Sequence, residues 1–364
     1  MRISLFCWMN GCLAAMIALA PLGVSAAELT RNIERNYPAS AHSGLEIRSS
    51  GGAVKVQPST KSEIEIFITI RARAATEEAA QAYLDQVEIR ERQFGDQLQL
   101  ETQALGQRLW QVGGNDDLEV IYEVFLPESH ALEVQLKRGD IDLGNRGGNV
   151  DIELSHGDLI ADTLYGNGNR LELHRGKARI DSVGGMDLQL SLAELDLGAA
   201  GELYLRSQTA KVKVGRVGNL DLVAHLGELT LGWVGDVQGR YTSSQCSIET
   251  LARSLDLDVK YAPALEIETV QAGFSRIDLR GNATGMRLGV EPSASFELEA
   301  EMAYGELEAK DWKDEIEEEK TSSNGKIYRK VADATARSRT APGLITIDNR
   351  YGRVKITQKA GMKY

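Results

Sequence analysis

Cysteine is scarce in this sequence, with three in 364 residues. Two of them, Cys7 and Cys12, lie in a leader-like stretch, so the chain expected after its removal keeps only Cys246. A single cysteine cannot form an intramolecular disulfide, which excludes the disulfide-stapled class of small exported domains. Cys246 is expected to be a buried or half-buried thiol and not a nucleophile, because no histidine can be assigned as its catalytic partner.

Proline is also scarce, and none occurs between Pro127 and Pro263. Loops of β-sandwiches commonly contain proline, whereas a strand bonded to neighbours along both edges excludes it because proline has no N–H. The long proline-free stretch therefore favours central strands.

An excess of positive charge is absent. The chain has 41 Lys and Arg against 53 Asp and Glu, a formal net charge of −12, and loss of Arg2 with the leader would make it −13. Such a chain repels nucleic acid and anionic lipid surfaces, and no basic stripe with interleaved aromatic residues is found. We expect no nucleic-acid partner.

Residues 1–26 are typical of a secretory signal peptide. Arg2 gives the positive start, residues 13–22 are apolar, and Val24-Ser25-Ala26 is a small-residue cleavage site. The apolar stretch is short for a transmembrane span, and Met9-Asn10-Gly11 before Cys12 fits a lipoprotein signal poorly. We predict export to the periplasm or cell surface, with no membrane span in the mature chain.

A short unit recurs through the middle of the chain: a glycine or small polar residue, then apolar residues alternating with polar ones. Clear copies are Gly139-Asp140-Ile141-Asp142-Leu143 and Gly148-Asn149-Val150-Asp151-Ile152, with others at Gly185, Gly201 and Gly227. The 88 residues from Gly139 to Gly227 contain ten steps of about nine residues, as in a stacked array. Apolar residues two apart share one face of a strand, so each unit should be a strand with one buried face.

Two all-β architectures fit such strands, a sandwich or barrel and a β-solenoid. The uniform step, the lack of Asn-Gly hairpin turns and the lack of proline favour a right-handed parallel β-solenoid with an N-terminal capping helix. Coils of two units would have about 18 residues and coils of three units about 27. The predicted core includes Leu190, Leu205, Leu222 and Leu231.

The flanking segments depart from the repeat. Residues 27–138 should form the first coils, with a helix capped by Thr76 over the open end of the stack. Residues 139–299 are the regular repeats. Residues 300–341 are a charged, irregular insertion, expected to be mobile at 311–339, and residues 342–364 should be terminal strands that close the solenoid.

The order of these parts is distinctive. Gly44-Leu45-Glu46-Ile47 follows the leader, Leu126-Pro127-Glu128 opens the Gly-Asp-Ile/Leu repeats, and Asn349-Arg350-Tyr351-Gly352-Arg353-Val354 comes near the end. This order resembles the bacterial "putative adhesin" domains of unknown function, relatives of auto-transporter adhesin head domains. The resemblance covers most of the chain after the leader and implies a right-handed β-solenoid exported to the cell envelope. It carries over no active site.

Motifs for metal chemistry are incomplete. A calcium β-roll needs Gly-Gly-x-Gly-x-Asp repeats, whereas residues 147–152 have Val150 and Ile152 where the second glycine and the ligand Asp should stand. His156, His174 and His225 are spaced so that a two-unit coil would place them in one column, with His225 about three coils from His174. Solvated corner residues are the favoured interpretation, and no metal or cofactor is expected.

Acids recur after the corner glycines, at Asp140, Asp158, Glu202, Glu228 and Asp236. Polysaccharide lyases and hydrolases of the parallel β-helix type place carboxylates, with Arg or Lys, on one exposed sheet. Regular recurrence instead favours corner charges that solubilise the array and prevent edge pairing.

Two tryptophans are candidate sugar-stacking residues. Trp233 lies at a strand end, where packing against a neighbouring coil is favoured, and Trp110 lies in a glycine-rich loop.

The sequence thus predicts a non-enzymatic β-solenoid that acts as an adhesin-like binding or scaffold module of the cell envelope, with no catalytic, cofactor or metal residue. The alternative is a carbohydrate-active parallel β-helix enzyme. Its mark would be a cluster of non-repeating acids with Arg in a groove, whereas a featureless, regularly charged surface would support the binding module. The partner class is an envelope protein or a glycan, bound through an exposed face, the Trp110 loop or residues 311–339.

Overall fold

The computed structural model describes residues 27–104, 117–331 and 342–359. The predicted all-β class is confirmed, because these residues form 23 strands in one mixed sheet and one α-helix, α1 at Glu77–Asp85. The predicted signal peptide and the Trp110 loop lie outside the described residues.

The strands differ greatly in length. Strands β1 to β9 are Ala27–Pro38, Gly44–Ser49, Gly52–Ser59, Glu63–Ala74, Val87–Phe94, Gln97–Ala104, Asp117–Pro127, Ala131–Leu136 and Gly139–Leu143. Strands β10 to β17 are Val150–Leu154, Leu159–Leu164, Asn169–Leu173, Gly176–Ser191, Ala193–Lys260, Leu265–Val270, Arg276–Asn282 and Met286–Val290. Strands β18 to β23 are Phe296–Ala303, Glu306–Glu308, Glu317–Lys320, Gly325–Lys330, Gly343–Arg350 and Arg353–Gln358. Two 3-10 turns lie at Ala39–Ala41 and Lys310–Trp312.

Parallel pairing joins strand segments that lie two units apart along the chain, and the long strand β13 contains two such segments. In one column β8 pairs with β10, β10 with β12 and β12 with β13, so that Val134, Ile152, Leu171 and Leu188 lie opposite one another. A second column joins β9, β11 and the first half of β13. The step from one strand to its partner is therefore close to two of the repeated units.

The long strand β14 continues the same step. A Cβ built on Gly218 would lie 2.6 Å from the carbonyl oxygen of Gly201, and one on Gly235 would lie 2.3 Å from that of Gly218. Backbone thus lies directly on backbone once in every step, and these corners require glycine because a side chain has no room.

The core follows from this register. Within each strand every second residue is apolar, and the regular step puts leucine on leucine from one strand to the next. The predicted core residues Leu190, Leu205, Leu222 and Leu231 are confirmed as buried, with at most 3% of their surface exposed. A single continuous apolar core extends from β2 to β23.

A buried arginine holds the Leu126-Pro127-Glu128 step that opens the repeats. The side chain of Arg146 is fully buried and donates hydrogen bonds to the carbonyl oxygens of Leu126, Pro127 and His130 at 2.9, 2.9 and 2.7 Å. Burial lowers the pKa of its guanidinium to about 10. The repeat pattern does not predict this contact, because Arg146 is a charged residue that points into the core and so breaks the alternation of apolar and polar residues.

The N-terminal end of the sheet is antiparallel. Strand β4 pairs antiparallel with both β1 and β7, and β5 with β6. The helix α1 begins where predicted, because the Thr76 hydroxyl accepts the Ala79 N–H at 3.2 Å. It contacts β1, β4 and β5 and buries Ala80 and Leu84.

The C-terminal end does not follow chain order. Strand β22 pairs parallel with β16 on one edge and with β18 on the other, and β23 lies between β17 and β19. The terminal strands, expected to close the stack, thus lie inside its end rather than at it. The strands outside them are β18 and then β21 and β20, both antiparallel. The repeat pattern identified the strands but not their order, because the insertion lets the chain return between two earlier strands.

The described part of the 300–341 insertion packs on the core, whereas the sequence predicts a mobile segment at 311–339. Trp312 lies edge-on to the buried ring of Phe296 with 5.2 Å between centroids. The side chain of Lys330 is buried beside the same ring and forms an ion pair with Glu315 at 3.1 Å. Residues 310–330 therefore cover the last layer of the core, and only residues 332–341 of the insertion lie outside the described residues.

The core register can be tested at two adjacent residues of β14. Leu222 is fully buried and Val223 is 37% exposed. Leu222→Asp should lower the free energy of unfolding by several kcal/mol, about 3–5, because it buries an unpaired charge. Val223→Asp, the same change facing water, should alter it by about 0.5 kcal/mol or less. Equal shifts of the two thermal melting curves would refute the register.

The covering role of the insertion can be tested at Trp312. Trp312→Ala should lower the free energy of unfolding by about 1–3 kcal/mol, less than for a fully buried tryptophan, since the side chain is only half-buried. Lys313→Ala, on an exposed neighbour, serves as control. Identical urea unfolding midpoints for the two variants would show that this turn does not stabilise the core.

Candidate groove on the exposed parallel face

The outward-facing residues of β14 and β16 form two columns on one face. The register places Ser254 opposite Arg276 and Asp256 opposite Asp278, and the stacked glycines 201, 218 and 235 carry the same alignment back through β14. The first column is Glu202, Asn219, Asp236, Ser254 and Arg276, and the second is Tyr204, Asp221, Gln238, Asp256 and Asp278.

These two columns line a groove of about 720 Å³. Its floor is the strand backbone at Leu203, Leu220, Val237 and Leu255, whose side chains point into the core. The groove is rigid at its base, because its floor is hydrogen-bonded sheet rather than loop.

Most of the carboxylates in the groove are held by a neighbour. Asp236 forms an ion pair with Arg253 at 2.6 Å and accepts a hydrogen bond from the Ser254 hydroxyl at 2.6 Å. Asp278 pairs with Arg276 at 2.5 Å, and Asp256 pairs with Arg280. The groove therefore contains both signs of charge in fixed positions.

The electrostatics of Asp236 are set by opposing effects. Partial burial raises the pKa of its carboxyl group, but hydrogen bonds from Ser254 and Arg253, with the positive charge of Arg253, outweigh burial and leave the pKa lowered. Asp236 is therefore held ionised at neutral pH and is poorly suited to act as a general acid.

One end of the groove is open to a ligand. The side chains of Glu202 and Tyr204 are exposed, Tyr204 by 50%, and neither forms a hydrogen bond or ion pair with another residue that the structure describes. Asp221 in the next repeat accepts a hydrogen bond from Gln238 at 3.1 Å. Carboxylate and phenol groups here can accept hydrogen bonds from hydroxyl or ammonium donors.

The five acids that follow corner glycines in the sequence lie in two different columns of the structure. Glu202 and Asp236 line the groove. Asp140 and Asp158 stack in the other column and accept the backbone N–H groups of Asp158 and Lys177, each at 2.9 Å. Further along that column Glu228 pairs with Lys211 at 3.4 Å. These last three acids therefore have structural roles.

The histidines do not form a cluster of three. The rings of His156 and His174 are neighbours, 6.1 Å apart and edge-on, as a two-unit step predicts. His225 lies three steps beyond His174 in the same column. The two positions between them are Ser191 and Gln208, which stand opposite each other. Among the described residues no three His, Cys, Asp or Glu side chains are placed to hold a metal ion. The absence of a metal or cofactor stays a prediction.

The other singled-out residues lie away from the groove. The guanidinium of Arg216 covers the Trp233 ring at 3.9 Å from its centroid, so that face is occupied. Cys246 is buried, and burial raises the pKa of its thiol to about 12, which makes it unreactive.

Sequence reasoning missed Tyr204, Asp221, Asp256, Asp278 and Arg276 as members of one groove. The signal was present in the sequence, because outward-facing polar residues recur at the same place in each step of the stack. It could be used only once the number of units per step was known.

No known protein-family profile and no curated protein matches the chain. Solved structures that it resembles include a "putative cell adhesion protein" from Clostridium sporogenes, with 13% identity, 91% of this chain and 100% of that chain covered, and a TM-score of 0.22. A "putative adhesin" from Parabacteroides merdae has 9% identity, 90% and 96% coverage, and a TM-score of 0.28. A "putative lipid binding protein" from Parabacteroides distasonis has 8% identity, 89% and 96% coverage, and a TM-score of 0.24. These TM-scores are too low to carry an argument about this chain.

Across the described residues, no helix has the length and apolar character that crossing a membrane requires.

The pairing in the groove can be tested by titration. Arg253→Ala should raise the pKa of Asp236 above its native value, since burial remains while the main stabilising charge is lost. A lowered pKa means that ionised Asp236 stabilises the fold at neutral pH and that this contribution is lost on acidification through its folded pKa. Carboxyl NMR titration measures the shift.

The control for this titration is Arg206→Ala, which removes the ion pair with Asp187 at 3.0 Å on the same face but outside the groove. The Asp236 titration should not change in this variant. An Asp236 pKa that is unchanged by Arg253→Ala would contradict the assigned pairing.

Proposed function

We propose that this chain is an exported, non-enzymatic β-solenoid that acts as an adhesin-like binding module of the cell envelope. The observation that carries the proposal is the rigid polar groove on the exposed face of β14 and β16, lined by residues from five successive steps of the stack. In this proposal the groove is the binding site.

The solenoid itself is inferred from the order of the parallel pairs. The chain passes alternately through two columns of strands and returns to each after two units, as a winding chain must. Parallel connections are right-handed almost without exception, so we assign a right-handed winding. Residues 27–138 then form the first coils and 139–299 the regular repeats. Residues 300–341 are an insertion whose described part covers the last layer, and residues 342–364 include the final two strands.

Binding rather than catalysis fits the state of the groove carboxylates. Three of them, Asp236, Asp256 and Asp278, are paired with arginines, and the pKa of Asp236 is lowered. A general acid needs a carboxyl group whose pKa is raised. Fixed pairs on a flat sheet are suited to recognition by hydrogen bonding.

The charge of the groove restricts the class of partner that it can bind. Glu202 and Asp221 at its open end, in a chain of net charge −12, favour a partner that presents hydroxyl or ammonium donors and disfavour an anionic polymer. An envelope protein with a basic patch and a hydroxyl-rich glycan both meet this condition. The leader-like residues 1–26 support an exported location.

A carbohydrate-active enzyme is the second candidate, because the groove contains acids together with Arg276, and Arg253 pairs with Asp236. The acids recur from step to step, however, whereas the mark of this alternative is a cluster of non-repeating acids. Release of reducing ends from envelope polysaccharides by the purified protein, abolished in Glu202→Gln, would establish this candidate in place of the first.

Capture of partners from envelope fractions tests the binding role. Double replacement of Glu202 and Asp221 by lysine should weaken capture of the bound component by about tenfold or more, because it reverses the charge at the open end of the groove. The control is double replacement of Glu297 and Glu301 by lysine, an equal charge change on exposed positions of β18 outside the groove. Equal capture by both folded variants would contradict the groove assignment.

A further inference from the structure

One corner of the repeat is left-handed at residues other than glycine. Backbone φ lies between 52° and 56° at Leu192, Thr209, Leu226, Ser243, Tyr261, Ala283, Tyr304 and Tyr351. These positions are stacked by the strand register. The residues directly before Tyr261, Ala283, Tyr351 and Tyr304 stand opposite one another in that order: Lys260, Asn282, Arg350 and Ala303. We call this column the corner ridge.

The residues of the corner ridge are unexpected for their backbone. A left-handed conformation costs a residue with a Cβ roughly 1–2 kcal/mol, and glycine or asparagine is usual there. None of the eight positions is Gly or Asn, and five are large exposed side chains: Leu192, Leu226, Tyr261, Tyr304 and Tyr351. Because glycine would relieve the strain, the large side chains require an explanation other than the fold.

The ridge ends in a stacked tyrosine pair. The rings of Tyr304 and Tyr351 lie 4.8 Å apart and 13° from parallel. They are 58% and 59% exposed, so the pair contributes little to the core. Together they form an aromatic platform at the C-terminal end of the stack.

A cavity of about 600 Å³ adjoins this platform. Part of its wall has no side chains, at Gly305 and Gly352. A Cβ on Gly305 would lie 2.1 Å from the Gly352 carbonyl oxygen, and one on Gly352 would lie 2.1 Å from that of Thr284. These two positions therefore require glycine, and the wall beside the tyrosines is bare backbone there.

The remaining wall is polar and mainly basic. The turn between β20 and β21 contributes Ser322, Ser323 and Asn324, and the cations are Lys320, Lys326 and Arg353. The acid in the wall is Glu306, while Lys326 is paired with Glu318 at 2.9 Å. In a chain of net charge −12 this is a local region of positive charge.

We propose that this cavity, the tyrosine site, binds an acidic sugar residue of a glycan. Aromatic rings pack against the C–H face of a sugar ring, hydroxyl and amide groups match its hydroxyls, and Lys320 and Arg353 match a carboxylate. A purely apolar ligand would leave these polar groups unpaired. The site is separate from the groove and takes the opposite charge, so it goes beyond the proposed function and does not rest on it.

The left-handed backbone at Tyr304 allows a substitution that removes the ring without adding backbone strain. Tyr304→Gly removes the outer ring and places glycine where φ is 56°, so the backbone strain is relieved rather than increased. Tyr261→Gly is the matched control, because Tyr261 is on the same ridge with φ 52° and lies outside the tyrosine site.

The experiment is calorimetric titration of the whole chain with trigalacturonic acid and, separately, with neutral galactotriose. We expect binding of the acidic trimer, weaker by about tenfold in both Tyr304→Gly and Arg353→Ala, and unchanged in Tyr261→Gly and in the lysine double variant of the groove. No binding of the acidic trimer, equal affinity for the neutral trimer, or equal loss in Tyr261→Gly would overturn the proposal. Loss in the groove variant alone would place the sugar in the groove and also overturn it.

Discussion

Backbone hydrogen bonding between equivalent positions of successive repeats is the constraint on which the rest of the structure depends. A parallel strand pair with a regular step puts each residue against its counterpart two units away along the chain, so a property of one position becomes a property of a whole column. Buried columns become leucine and valine ladders, and tight corners become glycine ladders. Exposed columns combine polar residues into surfaces that no single repeat contains, and the groove is one of these.

The same constraint explains what could be predicted from the sequence. Alternation with period two identifies the buried face, so Leu190 and Leu222 could be assigned from local pattern alone, as could the Thr76 cap. The step length could not, because the repeated unit is compatible with two or three units per step. The groove and the stacked pair of Tyr304 and Tyr351 depend on that length and on the strand order, and both were therefore missed.

At the ends of the stack the local sequence pattern does not predict the strand order, and the reason is different. The repeat must stop without exposing a long strand edge, and the chain uses antiparallel strands at both ends. At the C-terminal end the outermost strand, β20, is four exposed charged residues, Glu317–Lys320, which discourages pairing with another chain. Chain order does not specify this arrangement, since β22 and β23 return between earlier strands. Trp312 and Lys330 both contact Phe296 of β18, and Lys330 also pairs with Glu315 before β20.

The most direct test of the stacked register is cysteine crosslinking in the folded chain. Three cysteine pairs replace residues that stand opposite each other: Lys177 with Glu194, Asp256 with Asp278, and Glu266 with Arg287. Adjacent parallel strands lie about 4.8 Å apart, within disulfide range, and Cys246 is buried and should not interfere. Rapid oxidation of all three pairs, but not of a pair at Lys177 and Asp196 that is out of register, is the predicted result. Failure of the opposed pairs to form disulfides, or equal oxidation of the out-of-register pair, would contradict the account.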